Sequence, residues 1–225
     1  MTFLEEIALR ESLYWGGVTV SLVTAAIYMV LASWRGPSWW KTILKALPVG
    51  ALVFAASANF AAPLVIAALA LSLIGDIALS RNGERAFLIG LIGFAAAHVA
   101  YIVHFYDMAT MTPPLAAVFV LVVLALSTEV WLRPYTGAMM WPVRVYVVLI
   151  TLMGLTATSL PAHPLATLGA LTFIVSDVLL AIQLFRLGPT SPARIPIAVL
   201  LWAAYALAQV MILLGAGFAQ PLLSL

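Results

Sequence analysis

The feature that most constrains this chain is a series of eight apolar segments, each about as long as a membrane-crossing helix. A helix needs roughly 20 apolar residues to cross the hydrocarbon core of a bilayer. Only 8% of the 225 residues are charged, whereas a soluble domain carries about 25%. We therefore predict an all-α integral membrane protein with eight transmembrane helices. The predicted spans are 13–34, 42–60, 62–80, 86–106, 114–132, 142–160, 164–186 and 196–218.

Prolines mark the beginnings of many of these spans, because proline fits the first turn of a helix and disrupts its interior. Five predicted spans start at a proline, namely Pro63, Pro113, Pro142, Pro164 and Pro196. No soluble domain or long linker is left over between the spans. We therefore predict one transmembrane domain over residues 1–225.

The positive charges fall on one side of the predicted bundle. Nine of the ten Lys and Arg residues belong to the 1–2, 3–4, 5–6 and 7–8 connections or their flanks, and only Arg10 belongs to the other side. Lys and Arg in short loops favour the cytoplasm. The start is acidic and has no basic segment before the first apolar stretch, so no secretory signal is predicted. We predict a multi-pass protein of the plasma (inner) membrane with both termini outside.

Two aspartates interrupt the apolar spans in similar sequence frames. Asp76 lies in LSLIGDIAL and Asp177 in TFIVSDVLL, each directly after a small residue. A carboxylate inside a span costs several kcal/mol unless it has a partner, which favours a functional role. Two nearby carboxylates are also the minimal set for general acid/base chemistry. Both fall in the cytoplasmic half of their spans, so we predict a polar cavity that opens toward the cytoplasm.

The two aspartates also indicate an internal repeat. Asp76 lies on the third predicted helix and Asp177 on the seventh, which is the third of a second set of four. Lys45 and Arg144 likewise begin the second helix of each set. Because four is even, the two halves share one orientation, as in the parallel repeats of some membrane proteins. We predict a 4+4 parallel repeat around the polar cavity, with halves at about 13–106 and 114–218.

Several polar side chains on the spans are candidates for binding a substrate beside the aspartates. They are Lys45, His98, Tyr101, Tyr146, Ser176, Tyr205 and Gln209. Other interpretations stay open. Lys45 with Asp76, and Arg144 with Asp177, could be buried ion pairs that fix helix register. Lys45 could also extend to the interface as an anchor, and a single tyrosine or amide could simply bond two helices together.

The composition argues against several other classes of protein and site. There are no cysteines, which excludes disulfides and thiolate metal sites. The net charge of +2 is too small to indicate nucleic-acid binding. His98 and His104 are six residues apart and point in different directions on a helix, so they do not form a zinc site with His163. We predict no metal and no cofactor.

An ordered set of short motifs on successive spans resembles a known family. It comprises Gly75-Asp76, Leu79, Phe87, Gly90, Phe94, His98, Tyr101, Tyr146, Met153, Gly169-Ala170-Leu171, Phe173, Ser176-Asp177, Leu180-Ala181, Tyr205 and Gln209. On these residues the chain resembles the YhhN family of membrane proteins, which includes the animal lysoplasmalogenases. One departure concerns Lys45, because the family often has Lys-Pro there and this chain has Lys45-Ala46-Leu47-Pro48.

The resemblance implies hydrolysis of the vinyl-ether bond of a lysoplasmalogen to a fatty aldehyde and glycerophospho-ethanolamine or -choline. A vinyl ether is acid-labile, so one protonated aspartate would deliver a proton while the other, ionised, stabilises the cation and activates water. Which of Asp76 and Asp177 is the acid stays open. Lys45, His98 or Tyr146 would hold the phosphate or glycerol hydroxyls. The expected partners are a lysophospholipid and the bilayer, and we expect a monomer or homodimer.

Two rival functions fit the same residues. Midmembrane carboxylates in parallel repeats also occur in proton-coupled transporters and would suit a small transporter or lipid flippase. A metal-dependent membrane amidase or esterase is the third hypothesis. Flux without product formation would favour the transporter, and activity that depends on zinc would favour the metalloenzyme.

Overall fold

A computed structural model describes residues 2–218, which are helical apart from their connections and contain no strand. The eight helices are α1 (Phe3–Leu31), α2 (Trp39–Ala58), α3 (Pro63–Leu79), α4 (Glu84–Met108), α5 (Leu115–Trp131), α6 (Met140–Ala157), α7 (Pro164–Phe185) and α8 (Arg194–Ala216). Two 3₁₀ turns connect α5 to α6. The all-α prediction is confirmed. The single domain over 1–225 stays a prediction, and residues 1 and 219–225 lie outside the described part.

The helices have the length and composition of membrane spans, with one exception. Seven of those in the described range are long and apolar enough to cross a membrane. The exception is α3, which is apolar but has only 17 residues; α5 has the same length but continues into the 3₁₀ turn Arg133–Tyr135. At about 1.5 Å per residue, 17 residues reach roughly 25 Å, which is slightly less than the hydrocarbon core. The chain is an integral membrane protein, and eight complete spans stay a prediction.

The first helix begins ten residues before the predicted span. Thr2 caps it, because its hydroxyl accepts from the backbone N–H of Glu5 while the Glu5 carboxylate accepts from the Thr2 N–H at 2.7 Å. Such a reciprocal cap satisfies free N–H groups at the helix start, and acidic side chains there also complement the helix dipole. The polar residues before position 13 therefore continue the helix, which an apolar window alone does not reveal.

Helices pack most closely where glycines remove side chains from the contact. A Cβ on Gly93 of α4 would lie 3.1 Å from the backbone of Gly75 and Leu71 on α3. A Cβ on Gly215 of α8 would collide with the backbone nitrogen of Ala166 on α7. Small residues permit this close approach in membrane bundles. The same device thus holds the third helix against the fourth in each set of four.

The buried core draws residues from every helix, and α4, α7 and α8 each contribute one aromatic ring to a cluster within it. Phe94, Phe173 and Tyr205 pack edge to face there, with ring centroids 5.5 to 6.3 Å apart. By contrast α5 lies at the periphery, since Leu121 is its one buried residue. The outward side chains of α5 are large and apolar, as a lipid-facing surface requires. Both aspartates project into the central region beside the aromatic cluster.

Candidate active site

Asp76 is buried at the meeting point of α2, α3 and α8. The Lys45 ammonium on α2 lies 3.1 Å from its Oδ1. The Tyr205 hydroxyl on α8 donates a 2.6 Å hydrogen bond to its Oδ2. A carboxylate that leaves water requires such partners, because its burial otherwise costs several kcal/mol. Of the alternatives that the sequence left open for Lys45, the structure shows the ion pair with Asp76.

A chain of buried hydrogen bonds extends from Asp76 toward the other end of α4 and α8. Gln209 Nε2 donates to the Tyr205 hydroxyl at 3.3 Å, and the Tyr101 hydroxyl donates to Gln209 Oε1 at 2.8 Å. Tyr101 and Gln209 are fully buried. Such a series of hydrogen bonds fixes the orientation of the Tyr205 hydroxyl that faces the Asp76 carboxylate. Of these three candidate binding residues, Tyr205 therefore contacts Asp76, and the other two lie one and two hydrogen bonds behind it.

Asp177 has a different set of partners. The Tyr146 hydroxyl on α6 donates a 2.6 Å hydrogen bond to its Oδ2. His98 Nε2 lies 3.9 Å from the same oxygen, which is too long for a hydrogen bond. His98 is fully buried against the rings of Tyr146 and Phe173, and neither ring nitrogen has a hydrogen-bond partner among the described residues. Asp177 thus has a tyrosine donor and a nearby imidazole where Asp76 has a tyrosine and an ammonium.

Arg144 does not pair with Asp177. Its guanidinium contacts the Glu129 carboxylate on α5 through two bonds of 2.8 and 2.5 Å, and Arg133 lies 3.7 Å from the same carboxylate. Arg144 precedes Tyr146 by two residues, which is about 200° around a helix. When Tyr146 faces Asp177, Arg144 must therefore face away from it, toward α5. The alternative of an ion pair between Arg144 and Asp177, which the sequence left open, is therefore excluded.

Both aspartates line one small cavity. Lys45, Phe94, Ser176, Trp202 and Tyr205 are among the other residues in its wall. The cavity has a volume of about 30 Å³, which is enough for one or two water molecules. Ser176 donates its hydroxyl hydrogen bond to the Phe173 carbonyl at 2.9 Å, so it belongs to the wall rather than to a nucleophilic triad.

An apolar groove reaches Asp177 from the side of α5. Most of its wall comes from α4, α5, α6 and α7, and its volume is about 90 Å³. Tyr146 and Asp177 are the polar groups at its inner end, and Thr128 and Thr151 lie farther along its wall. Phe94, Leu79, Leu180 and Asp177 line the groove and the small cavity alike. The groove therefore has the apolar wall that a hydrocarbon chain requires, with the aspartates at its polar end.

A polar vestibule adjoins the small cavity, and the two share Lys45 and Leu79 in their walls. It has a volume of about 450 Å³, and a passage lined by Lys45, Gln183 and Trp202 connects it to the cavity wall. Residues from the 1–2, 3–4 and 7–8 connections form it, so these three connections share one end of the bundle. Its positively charged residues are Arg35, Lys41, Lys45, Arg81 and Arg194.

Most of the vestibule residues were not among the candidates predicted from the sequence. Arg35, Lys41, Arg81 and Arg194 indicated only membrane orientation, and Gln183 was not a candidate. The sequence could have indicated the four charged residues, because they belong to the same side of the bundle as the aspartates. It could also have indicated Gln183, since an amide within an apolar span needs a partner. Its Oε1 is buried and has no hydrogen-bond partner among residues 2–218.

The histidines lie apart. His104 bonds the Ala216 carbonyl at 2.6 Å and His163 bonds the Gly215 carbonyl at 2.8 Å, both at the end of α8. His98 lies beside Asp177 instead. Within the described range no three His, Asp or Glu side chains are grouped as metal ligands.

Comparison with known proteins identifies the family. The model of the YhhN family matches residues 40–216, which contain both aspartates and all seven candidate binding residues. The chain belongs to the YhhN family. The match extends from α2 to the end of α8, so the cavity, the groove and most of the vestibule lie within the part that defines the family.

Several proteins similar to this YhhN-family chain are named lysoplasmalogenase. A protein of Mycobacterium tuberculosis named lysoplasmalogenase is 28% identical over 92% of this chain and 82% of its own length. Human "Lysoplasmalogenase TMEM86A" is 32% identical over 84% of both chains. Pig "Lysoplasmalogenase TMEM86B" is 34% identical over 85% of this chain and 82% of its own. No solved structure matches the chain.

Proposed function

We propose that this YhhN-family protein is a membrane-embedded hydrolase that cleaves the vinyl-ether bond of lysoplasmalogens. The observation that carries the proposal is that both aspartates line one water-sized cavity between an apolar groove and a polar vestibule. A lysoplasmalogen has the same order of parts, with a hydrocarbon chain, a vinyl ether, a glycerol and a phosphate head group. The names of the similar proteins agree with this reaction.

We assign the proton donor to Asp177. Asp177 lines the groove as well as the cavity, whereas Asp76 lines the cavity alone. The carbon that takes the proton is the second carbon of the alkenyl chain, on the chain side of the vinyl ether. Tyr146 occupies Oδ2 of Asp177, which leaves Oδ1 for the proton that is transferred. A group placed within reach of the reacting atom is the first requirement of a general acid.

We assign the ionised carboxylate to Asp76. The Lys45 ammonium and the Tyr205 hydroxyl both act as donors to it, and these contacts stabilise the charged form. Protonation of the second chain carbon creates an oxocarbenium ion at the first. Asp76 would stabilise that cation and accept a proton from the water that attacks it. The resulting hemiacetal then breaks its bond to the glycerol oxygen, which takes up a proton as the aldehyde leaves.

The reaction is tested with purified protein and lysophospholipids that differ only in the chain linkage. We expect the alkenyl species to release aldehyde, and the acyl and alkyl species to remain intact. In deuterated water the aldehyde should carry one deuterium on its second carbon, which mass spectrometry detects after immediate reduction. Release of aldehyde without this deuterium would contradict proton transfer to carbon.

The aspartates are tested by substitution with asparagine, which keeps the shape and removes the acid. We expect Asp76→Asn and Asp177→Asn each to abolish aldehyde release while the protein stays folded. Asp107→Asn is the matched control, because Asp107 is exposed at the end of α4 and should be dispensable. Full activity of either cavity variant would refute the two-aspartate mechanism.

We also propose that all eight helices cross the membrane as two parallel halves, with the vestibule open to the cytoplasm. Lys45 precedes Asp76 by 31 residues, and Tyr146 precedes Asp177 by the same number. Each aspartate also meets the fourth helix of the other half, through Tyr205 on α8 and His98 on α4. A twofold relation between the halves accounts for both features. The side assignment depends on the distribution of Lys and Arg.

A lipid flippase is the second candidate. The joined vestibule, cavity and groove form one path from a polar end of the bundle to its lipid-facing side, which such a protein would also require. In proteoliposomes, a flippase would move a fluorescent alkyl lysolipid between leaflets without cleaving it. A hydrolase would leave its distribution unchanged and would cleave the alkenyl analogue.

A further inference from the structure

The vestibule has a one-sided charge. Its wall contains Arg35, Lys41, Lys45, Arg81 and Arg194, and no Asp or Glu of residues 2–218 lines it. Lys45 at its inner end is balanced by Asp76. The other four make no salt bridge within the described range; the carboxylates there that do so pair with Arg10, Lys45, His98, Arg133 and Arg144. A cavity with four uncompensated cations attracts an anion.

Three of the four cations have neutral partners that hold them in place. Arg81 donates to the Thr42 hydroxyl at 3.3 Å and stacks on Trp39 at 4.2 Å. Arg194 donates to the Leu187 carbonyl at 3.4 Å. Lys41 donates to the Arg35 carbonyl. These contacts orient the side chains without neutralising them, so their charge is available to a ligand.

The position of the vestibule identifies which part of a lipid would occupy it. The passage leads from it to the cavity that holds both aspartates, and the apolar groove continues from that cavity. With a hydrocarbon chain in the groove and its first carbons at the aspartates, the glycerol lies in the passage and the phosphate in the vestibule. Arginine and lysine are the side chains that bind phosphate oxygens best.

We infer that this vestibule binds the phosphate of a lysolipid whose head group carries a net negative charge, a phosphomonoester or the phosphodiester of an uncharged polyol. The inference rests on the proposed function and deepens it by naming the head group. It differs from the ethanolamine or choline head group that the family resemblance implies, because the cations around the phosphate would repel an ammonium group.

The aromatic rings near the vestibule do not compensate for this repulsion. An ammonium ligand without a carboxylate partner needs several open aromatic faces. Trp39 is already covered by Arg81, and the Arg35 guanidinium lies 5.7 Å from the Trp40 ring. The Tyr28 ring packs on Trp202 with centroids 4.3 Å apart. Within the part of the chain that the structure describes, Trp34 is the one remaining aromatic residue in the vestibule wall, and a single ring does not form a cage.

The test measures binding, so it does not depend on turnover. The probes are two saturated 1-alkyl lysolipids of equal chain length, which have no vinyl ether to cleave: one ends in a phosphomonoester and the other in phosphocholine. Tryptophan fluorescence of the purified protein reports their affinities. We expect the phosphomonoester to bind at least tenfold more tightly, the equivalent of one additional charge-assisted contact. Equal affinity, or tighter binding of phosphocholine, would overturn the inference.

Variants locate the preference. Arg81→Gln combined with Arg194→Gln should remove most of the phosphomonoester preference. The affinity for the phosphocholine lipid should stay within about twofold, because these arginines attract its phosphate and repel its ammonium group, and both effects are lost together. Arg85→Gln is the matched control, because Arg85 is exposed and does not line the vestibule. If the double variant does not fold, Lys41→Gln tests the same site. An unchanged preference in the folded variants would also overturn the inference.

Inorganic phosphate distinguishes the lipid from a free anion. If the head group of a lipid is the ligand, inorganic phosphate should bind at least a hundredfold more weakly than the phosphomonoester lipid, because it lacks the buried chain. Comparable affinity would identify free phosphate as the ligand and overturn the lipid assignment. If the protein prefers the phosphomonoester lipid but releases no aldehyde, the head-group inference stands and the proposed hydrolase function is refuted. If it releases aldehyde but shows no such preference, the hydrolase function stands and the head-group inference is refuted.

Discussion

Tyr146 precedes Asp177 by 31 residues and donates a 2.6 Å hydrogen bond to its carboxylate. Lys45 has the same sequence relation to Asp76 and contacts it as an ion pair. The second helix thus supplies an ammonium donor to Asp76, and the sixth supplies a hydroxyl donor to Asp177. In the mechanism that we propose, this difference allows the two aspartates to take different roles.

Removing the Tyr146 hydroxyl should slow the reaction. As Asp177 gives up its proton it becomes a carboxylate, and in Tyr146→Phe this carboxylate lacks a hydrogen bond; one to a charged group contributes about 1.5–3 kcal/mol. We expect turnover to fall by about tenfold to a hundredfold. Tyr205→Phe should cost less, because Lys45 still contacts Asp76. Steady-state aldehyde release is the measurement. Tyr106→Phe is the control, since Tyr106 is 72% exposed on α4, and wild-type turnover in Tyr146→Phe would contradict the assignment.

The pair of Lys45 and Asp76 should behave as a coupled unit in unfolding. Lys45→Met leaves a buried carboxylate without its cation, which typically costs about 3–5 kcal/mol. Adding Asp76→Asn removes that charge, so the double variant should regain most of the lost stability and still lack activity. Thermal unfolding in detergent measures both. Equal unfolding temperatures for the single and double variants would show that the ion pair contributes little.

Close packing of α3 against α4 should depend on Gly93. A Cβ there would lie 3.1 Å from backbone atoms of Gly75 and Leu71, which side-chain rotation does not relieve. We expect Gly93→Ala to destabilise the protein by about 1–3 kcal/mol. It should also reduce turnover, because Asp76 directly follows Gly75. The control is Gly16→Ala on α1, where a Cβ meets no atom within 4 Å. It should be neutral or stabilise by about 0.5–1 kcal/mol.

The apolar groove should set the accepted chain length. Ala125 on α5 lines it, and Ala125→Phe would fill part of the space that a long chain occupies. Each buried methylene contributes about 0.8 kcal/mol, so losing room for two should lower kcat/KM for long chains about tenfold relative to short ones. The assay compares alkenyl chains of different length. Leu126→Phe is the control, since Leu126 is 64% exposed and points away. An unchanged length profile in Ala125→Phe would place the chain elsewhere.

The class of protein and most of its helices could be predicted from the sequence. Apolar length, prolines and the scarcity of charge are local properties, and each one reports on a single segment. For the same reason Asp76 and Asp177 stand out as functional candidates by their apolar surroundings in the sequence. The start of the first helix was the largest boundary error. Its polar, capped first residues are helical, whereas hydropathy places the start of the span ten residues later.

The sequence offered Lys45 as one possible partner of Asp76, but it could not decide that pairing, and for Asp177 it offered Arg144 instead of Tyr146. The sequence determined which residues are polar and which connections carry the positive charge. The tertiary structure decided that Lys45 meets Asp76, that Arg144 meets Glu129, and that Tyr205 reaches Asp76 from 129 residues away. These choices depend on how each helix is rotated about its axis, where a shift of one residue turns a side chain by about 100°. That rotation is fixed by the packing of several helices together, which no single segment encodes.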